Sequence, residues 1–217
     1  MTRLFVICGI ASALVYVATV LIGDWGTPDY SHISMAVSEL SEVGAPMAGP
    51  CSSGFSISAM LALVFGFGVW RVAAEYDGPM HMSGALLMAY GAMALLLATV
   101  FPMDPLGTPL TFPGTMHLVF VAISAFILLG AILFGGWALR GRVTGFWTFS
   151  VLTAVAMLTG GAAAGAVLAF SLPLQGLAER VTLASYLAWM LVLSLVLLRG
   201  PAIKPAAARR TRSGRQL

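Results

Sequence analysis

The stretch GTMHLVFVAISAFILLGAILFGGWAL, residues 114–139, has no charged side chain and exceeds the roughly 20 apolar residues that cross a bilayer as an α-helix. Its apolar residues are continuous and do not alternate with polar ones, as they would in a transmembrane β-strand. Similar apolar runs flank this stretch on both sides. Together the runs predict six transmembrane helices, near residues 4–22, 54–73, 83–100, 114–139, 143–170 and 181–198. The predicted fold class is therefore all-α, a polytopic six-helix transmembrane bundle.

The charges are distributed unequally between the two faces of this predicted bundle. Of the eleven Lys and Arg residues, only Arg180 lies on the face that carries the loop between the first two spans. Basic residues mark the cytoplasmic side, so we predict a multi-pass cell-membrane protein with both termini cytoplasmic. Most acidic residues lie on the opposite, exoplasmic face: Asp24, Asp29, Glu39, Glu42, Asp104 and Glu179. We therefore expect the functional site on the exoplasmic face.

The end of the chain differs in composition from the rest. Residues 1–200 form the predicted six-span domain, and residues 201–217 form a basic tail without an apolar pattern, which is typical of disorder. The net charge of +3 comes from this tail and indicates topology rather than nucleic-acid binding. Membrane lipids are the expected partners, and no cofactor is predicted. Either a monomer or a small homo-oligomer is compatible with the sequence.

The loop between the first two spans is the richest polar segment of the exoplasmic face. Its apolar residues recur at i, i+4 and i+7: Ile33, Val37 and Leu40. This spacing predicts a short amphipathic helix lying at the membrane interface. Ser34 and Ser38 would share one side of that helix, with Glu39 beside them. At the same face, the third span ends near Asp104, and His117 lies about one turn inside the fourth span.

These motifs together resemble a known family. The chain resembles the bacterial and archaeal membrane family called domain of unknown function 998, over nearly its whole length up to about Arg199. The similarity is carried by Tyr30-Ser-His-Ile-Ser34, Val37-Ser-Glu-Leu40 with Gly44-Ala-Pro46, Phe101-Pro-Met-Asp104, and His117 followed by Phe126. More distantly it is similar to the eukaryotic Frag/DRAM/Sfk membrane proteins, which are linked to lipid remodelling and membrane trafficking. That second resemblance implies a lipid-facing role.

One hypothesis is an enzyme that acts on a lipid at the outer leaflet. His117 would be the general base, Asp104 would orient it, and Ser34 or Ser38 would be the nucleophile. The chain has no Gly-x-Ser-x-Gly motif to support this hypothesis. In a variant of it, His32, His117, Asp104 and Glu39 would bind a metal ion, although no His-Glu-x-x-His motif is present.

A second hypothesis is recognition of a lipid headgroup or small solute by the same polar cluster. The candidate ligand-binding residues are Asp29, Tyr30, His32, Ser34, Ser38, Glu39, Asp104 and His117. In a third hypothesis the protein is structural or binds a protein partner, and Asp104 and His117 only fasten two helix ends together. Catalysis requires an open cleft, whereas an enclosed His117 favours the structural role. We expect the open arrangement, with His117 at its centre.

Overall fold

The computed structural model describes residues 2–76 and 78–200. Within these ranges the chain is all-helical, and six helices are long and apolar enough to cross a membrane. They are α1 (Thr2–Gly26), α2 (Ala48–Val72), α3 (Pro79–Thr99), α4 (Phe112–Ala138), α5 (Phe146–Ala169) and α6 (Gln175–Arg199). The predicted six-helix membrane bundle is confirmed. The predicted disordered tail, residues 201–217, lies outside the described residues.

Two helices begin clearly before the predicted spans. α2 begins at Ala48 instead of residue 54, and α6 begins at Gln175 instead of residue 181. The additional residues at the start of α6 include Glu179 and Arg180. These two charged residues precede the apolar run, but the helix already includes them. Hydropathy therefore located the spans but missed a polar helical turn that is important for the site.

The helices form a closed ring in chain order. Each helix packs on the next one, and α6 packs against α1 to close the ring. The backbone N–H of Val43 donates to the carbonyl of Met103 (3.0 Å), so the α1–α2 and α3–α4 connections meet at one end. We call this end, with residues 27–47, 100–111 and 170–174, the loop end. The opposite end, where Thr2 and Gly200 line a common cavity, is the terminal end.

The helix interfaces combine close backbone contact with hydroxyl hydrogen bonds. A Cβ atom on Gly84 would lie 2.5 Å from the backbone nitrogen of Trp70, so α2 and α3 approach closely. In lipid, small residues allow this approach, and hydroxyl groups hydrogen-bond between helices. Three such pairs are Ser12 with Ser58 (3.1 Å), Ser83 with the Ala131 carbonyl (2.8 Å) and Trp189 with Ser150 (2.9 Å). These contacts fix neighbouring helices against each other within the bundle.

Candidate functional site

Residues 27–47, which we call loop 1, pack against α1, α2 and the start of α6 at the loop end of the bundle. A helix was predicted from residue 33 to 40, but the structure forms only a short 3₁₀-helix, Ser38–Ser41. Val37 and Leu40 are 2% and 0% exposed, whereas Ile33 is 57% exposed. The predicted apolar stripe is therefore divided, because two of its residues are inserted among α1, α2 and α6 and the third faces outward.

Two carboxylates determine this backbone path. Glu39 accepts a hydrogen bond from the backbone N–H of Ala36 (2.6 Å), and Glu179 of α6 accepts one from Val37 (2.6 Å). The backbone amide of Ser38 also interacts with Glu179. These amides bind side chains instead of carbonyl oxygens one turn earlier, so a regular α-helix does not form.

Arg180 joins loop 1 to the start of α6. Its guanidinium donates to the carbonyls of His32 (2.8 Å), Met35 (3.0 Å) and Gly176 (3.0 Å), and to the Tyr30 hydroxyl (2.7 Å). The guanidinium also lies 5.5 Å from the centre of the Tyr30 ring, within range of a cation–π contact. The Tyr30 hydroxyl in turn donates to the Ala36 carbonyl (2.8 Å). We call Arg180, Tyr30, Glu39 and Glu179 the Arg180 cluster.

Burial changes the acidity of the loop 1 side chains. It raises the pKa of Tyr30 to about 12, against the opposing effect of its hydrogen bond with Arg180. Burial also raises the pKa of Glu39, against the Ala36 amide and the charge of Arg180. The pKa of Glu42 is raised by burial and then by the charge of Glu39. One Glu42 carboxylate oxygen is enclosed without a hydrogen-bond partner in the described part of the chain.

Asp104 stabilises the start of α4. Its carboxylate accepts hydrogen bonds from the backbone N–H of Thr111 (2.6 Å) and from the Thr111 hydroxyl (2.9 Å). Thr111 is the N-cap of α4, and its hydroxyl accepts a hydrogen bond from Gly114 (3.2 Å). Asp104 is 8% exposed, so the carboxylate is enclosed within the helix cap that it supports.

His117 joins α4 to the end of α3. Its Nδ1 lies 2.8 Å from the carbonyl oxygen of Phe101, which can only accept, so Nδ1 carries the proton. His117 is 8% exposed, which differs from the open cleft expected around it. Among the described residues, no hydrogen bond joins His117 to Asp104, Ser34 or Ser38. The contacts that a Ser-His-Asp triad requires are not formed in this arrangement.

The remaining predicted site residues of loop 1 are exposed or partly buried and do not converge. His32 is exposed and pairs with Asp24 (3.2 Å). Asp29 is exposed and has a positive φ of 59°. Ser34 and Ser38 are partly buried, with the Ser34 amide bound to Ser31. Within the described ranges, no three His, Cys, Asp or Glu side chains converge as metal ligands, so the four residues of the metal hypothesis do not assemble.

Sequence reasoning did not include Glu179 and Arg180 among the site residues. The available signal was that Arg180 is the single basic residue on its predicted face. Its contact with His32 is separated by 148 residues along the chain, which one sequence does not reveal. A tyrosine cluster was also missed: the ring centre of the buried Tyr186 lies 5.5 Å from that of Tyr90 and 6.4 Å from that of Tyr16, and both of these are partly buried.

A groove of about 320 Å³ between α5 and α6 begins beside loop 1. Its walls are mainly apolar and include Gly160, Ala163, Val167, Leu174, Leu177 and Val181. The backbone N–H of Leu177 donates to the carbonyl of Ile33 (2.9 Å). The end of the groove at Leu177 is therefore in direct contact with loop 1.

The fold and this site define a polytopic integral membrane protein in which loop 1 is fixed over one end of the bundle. The family model described as "Protein of unknown function (DUF998)" matches residues 10–196, and the chain belongs to this family. Comparison with curated proteins and with solved structures gave no significant match. The more distant resemblance to the Frag/DRAM/Sfk proteins stays a prediction.

Proposed function

We propose that this protein binds a membrane lipid at the loop end, with an acyl chain in the α5–α6 groove and the headgroup against loop 1. The observation that carries this proposal is the hydrogen bond between Leu177 and Ile33, which places the groove directly below the polar loop. An apolar groove alone gives little selectivity in a bilayer, because the surrounding lipid tails are equally apolar. Selectivity must then come from the headgroup.

Loop 1 and the end of α1 supply fixed polar groups for a headgroup. The Asp24 carboxylate and the His32 imidazole form an exposed pair. This pair lies next to the His32 carbonyl, which accepts a hydrogen bond from Arg180. An ionised carboxylate accepts hydrogen bonds and donates none. A headgroup with N–H or O–H donors therefore suits this acidic surface. Because the Arg180 cluster already orders loop 1, binding requires less ordering of the chain.

The test is native mass spectrometry of the full chain, purified in mild detergent from its membrane. We expect a retained phospholipid. Ala163→Phe places a large side chain in the groove and is expected to abolish most of the retention. Ala162→Phe is the matched control, since its exposed position lies outside the groove walls.

The headgroup contribution is tested separately with His32→Ala, which changes an exposed side chain and leaves the groove intact. We expect weaker retention, because the headgroup loses a polar contact. Retention that is equal in Ala163→Phe, Ala162→Phe and the unmodified protein would refute the lipid site. A retained molecule without an acyl chain would indicate a small solute instead.

The outer-leaflet hydrolase or transferase has less support from the geometry. His117 is hydrogen-bonded to Phe101 and Asp104 to Thr111, so neither is directed at Ser34 or Ser38. The proposal is therefore binding of a lipid without its chemical conversion.

A further inference from the structure

A cavity at the terminal end combines two opposite charges with an apolar wall. Its volume is about 270 Å³, and it lies between the first turn of α1, the end of α6 and the end of α2 with the 3₁₀-helix that follows it, Ala73–Glu75. The walls include Arg3, Glu75, Tyr76, Val6, Val72 and Leu197. Helix ends of a transmembrane bundle lie at the level of the lipid headgroups. The cavity is therefore placed to receive a headgroup rather than the middle of an acyl chain.

The two charged side chains of this cavity are exposed and lie apart from each other. Arg3 and Glu75 are both exposed, and within the described part of the chain they form no salt bridge with each other. The guanidinium of Arg3 also makes no hydrogen bond with any described residue. Tyr76 is buried and its ring is covered by Arg142, whose guanidinium carbon lies 5.3 Å from the ring centre. The cavity therefore has a fixed wall and two separate charges.

We propose that this cavity binds the headgroup of a zwitterionic phospholipid that carries a primary ammonium group. The phosphate contacts Arg3, because a guanidinium pairs with phosphate through parallel N–H donors. The ammonium group contacts Glu75, because it donates hydrogen bonds to a carboxylate. Val6, Val72 and Leu197 form an apolar wall for the glycerol and the first methylene groups.

The helix ends around the cavity favour the same orientation. The start of α1 presents backbone N–H groups without helical acceptors, which attract the phosphate. The ends of α2 and α6 carry partial negative charge, which attracts the ammonium group. Two charges of opposite sign in the ligand are therefore matched to two separate regions of the wall.

This chemistry predicts an order of lipid preference. An anionic headgroup without an ammonium group leaves Glu75 without a partner. Its net negative charge is also repelled by the Glu75 carboxylate. A choline headgroup has the positive charge, but its quaternary nitrogen has no N–H to donate to the carboxylate. Ethanolamine-type headgroups satisfy both Arg3 and Glu75 and are expected to bind most tightly.

The test is titration of the full chain in detergent with short-chain phosphatidylethanolamine, phosphatidylcholine and phosphatidylglycerol, with binding constants read by native mass spectrometry. We expect the ethanolamine lipid to bind about tenfold more tightly than the other two, because one additional charge-assisted hydrogen bond contributes about this difference in affinity. Glu75→Gln is expected to remove this preference. Arg3→Gln is expected to weaken binding of all three lipids by about tenfold.

Two control variants separate this site from other effects. Arg71→Gln removes an exposed charge that does not line the cavity and is expected to leave the preference unchanged. Ala163→Phe blocks the α5–α6 groove at the other end of the bundle, so it tests the lipid site of loop 1 without altering this cavity. Equal affinity for the three lipids in the unmodified protein would overturn the proposal. Equal weakening by Arg3→Gln and Arg71→Gln would also overturn it, because general surface charge would then explain the binding.

Discussion

Gly176 of α6 lies directly against the backbone of loop 1. A Cβ atom at this position would lie 2.7 Å from the His32 carbonyl oxygen and would also contact the Met35 carbonyl. These are backbone atoms, so the loop itself would have to move. We expect Gly176→Ala to destabilise the protein by about 1–3 kcal/mol and to make loop 1 more accessible to protease.

Thermal unfolding in detergent and limited proteolysis measure these two effects. Gly165→Ala is the matched control, because its Cβ would meet no atom within 4 Å and alanine favours a helix. A melting temperature of Gly176→Ala equal to that of Gly165→Ala would show that loop 1 is not held against α6 as described.

Glu42 makes the stability of loop 1 depend on pH. Its pKa in the folded protein is raised above the ordinary value of 4.5, so folding favours the protonated form. The resulting stabilisation is fully present below the ordinary value and is lost as pH rises through the raised pKa. Glu42→Gln is neutral at every pH. We therefore expect its gain in melting temperature over the unmodified protein to be small near about pH 4 and larger near about pH 7.

A pH series of thermal unfolding in detergent checks this expectation. Asp29→Asn is the control, since Asp29 is exposed and asparagine tolerates its positive φ of 59°. A gain of equal size at both pH values would mean that ionisation of Glu42 has no part in it.

At the scale of secondary-structure elements, Asp104 connects the end of α3 to the start of α4. It binds both the backbone and the hydroxyl of Thr111, the N-cap of α4. We expect Asp104→Ala to cost about 1–2 kcal/mol, as loss of a helix cap does. Asp104→Asn, which keeps one acceptor oxygen, is expected to cost less.

A double-mutant cycle with Thr111→Val measures this contact directly by denaturation in detergent. Both single changes remove the hydrogen bond from the Thr111 hydroxyl to the Asp104 carboxylate, so the double variant is expected to lose less stability than the sum of both. Strict additivity would contradict the contact. His117→Gln extends the test to the Phe101 carbonyl, which closes the same helix junction.

The elements themselves could be predicted to different degrees from the sequence. Long apolar runs such as residues 114–139 identify spans because a bilayer requires continuous apolar length. Loop 1 could not be predicted equally well. The spacing of Val37 and Leu40 correctly indicated apolar contacts, but the backbone path depends on Glu179, which is 142 residues from Val37. For the same reason, sequence proximity could not show that Arg180 binds Tyr30 or that Asp104 and His117 have different partners.

At the scale of the whole molecule, the closed ring places the connections on two distinct ends. Contact between α1 and α6 brings Thr2 and Gly200 to one cavity, so both described ends of the chain share the terminal end. The exposed basic residues Arg3, Arg71, Arg140 and Arg199 lie at that end as well. The proposed loop 1 lipid and the proposed zwitterionic headgroup would then belong to opposite leaflets of the membrane.

The orientation of these two ends in the membrane stays a prediction of the positive-inside bias. It is tested with single cysteines in a chain in which Cys8 and Cys51 are replaced by alanine. Pro28 at the loop end and Ala74 at the terminal end are both exposed and suit this labelling. A membrane-impermeant maleimide added to intact cells is expected to modify Pro28→Cys and not Ala74→Cys, while both react after the membrane is opened. The reverse pattern would exchange the leaflets of the two proposed lipid sites, and labelling of both in intact cells would contradict the six-span ring itself.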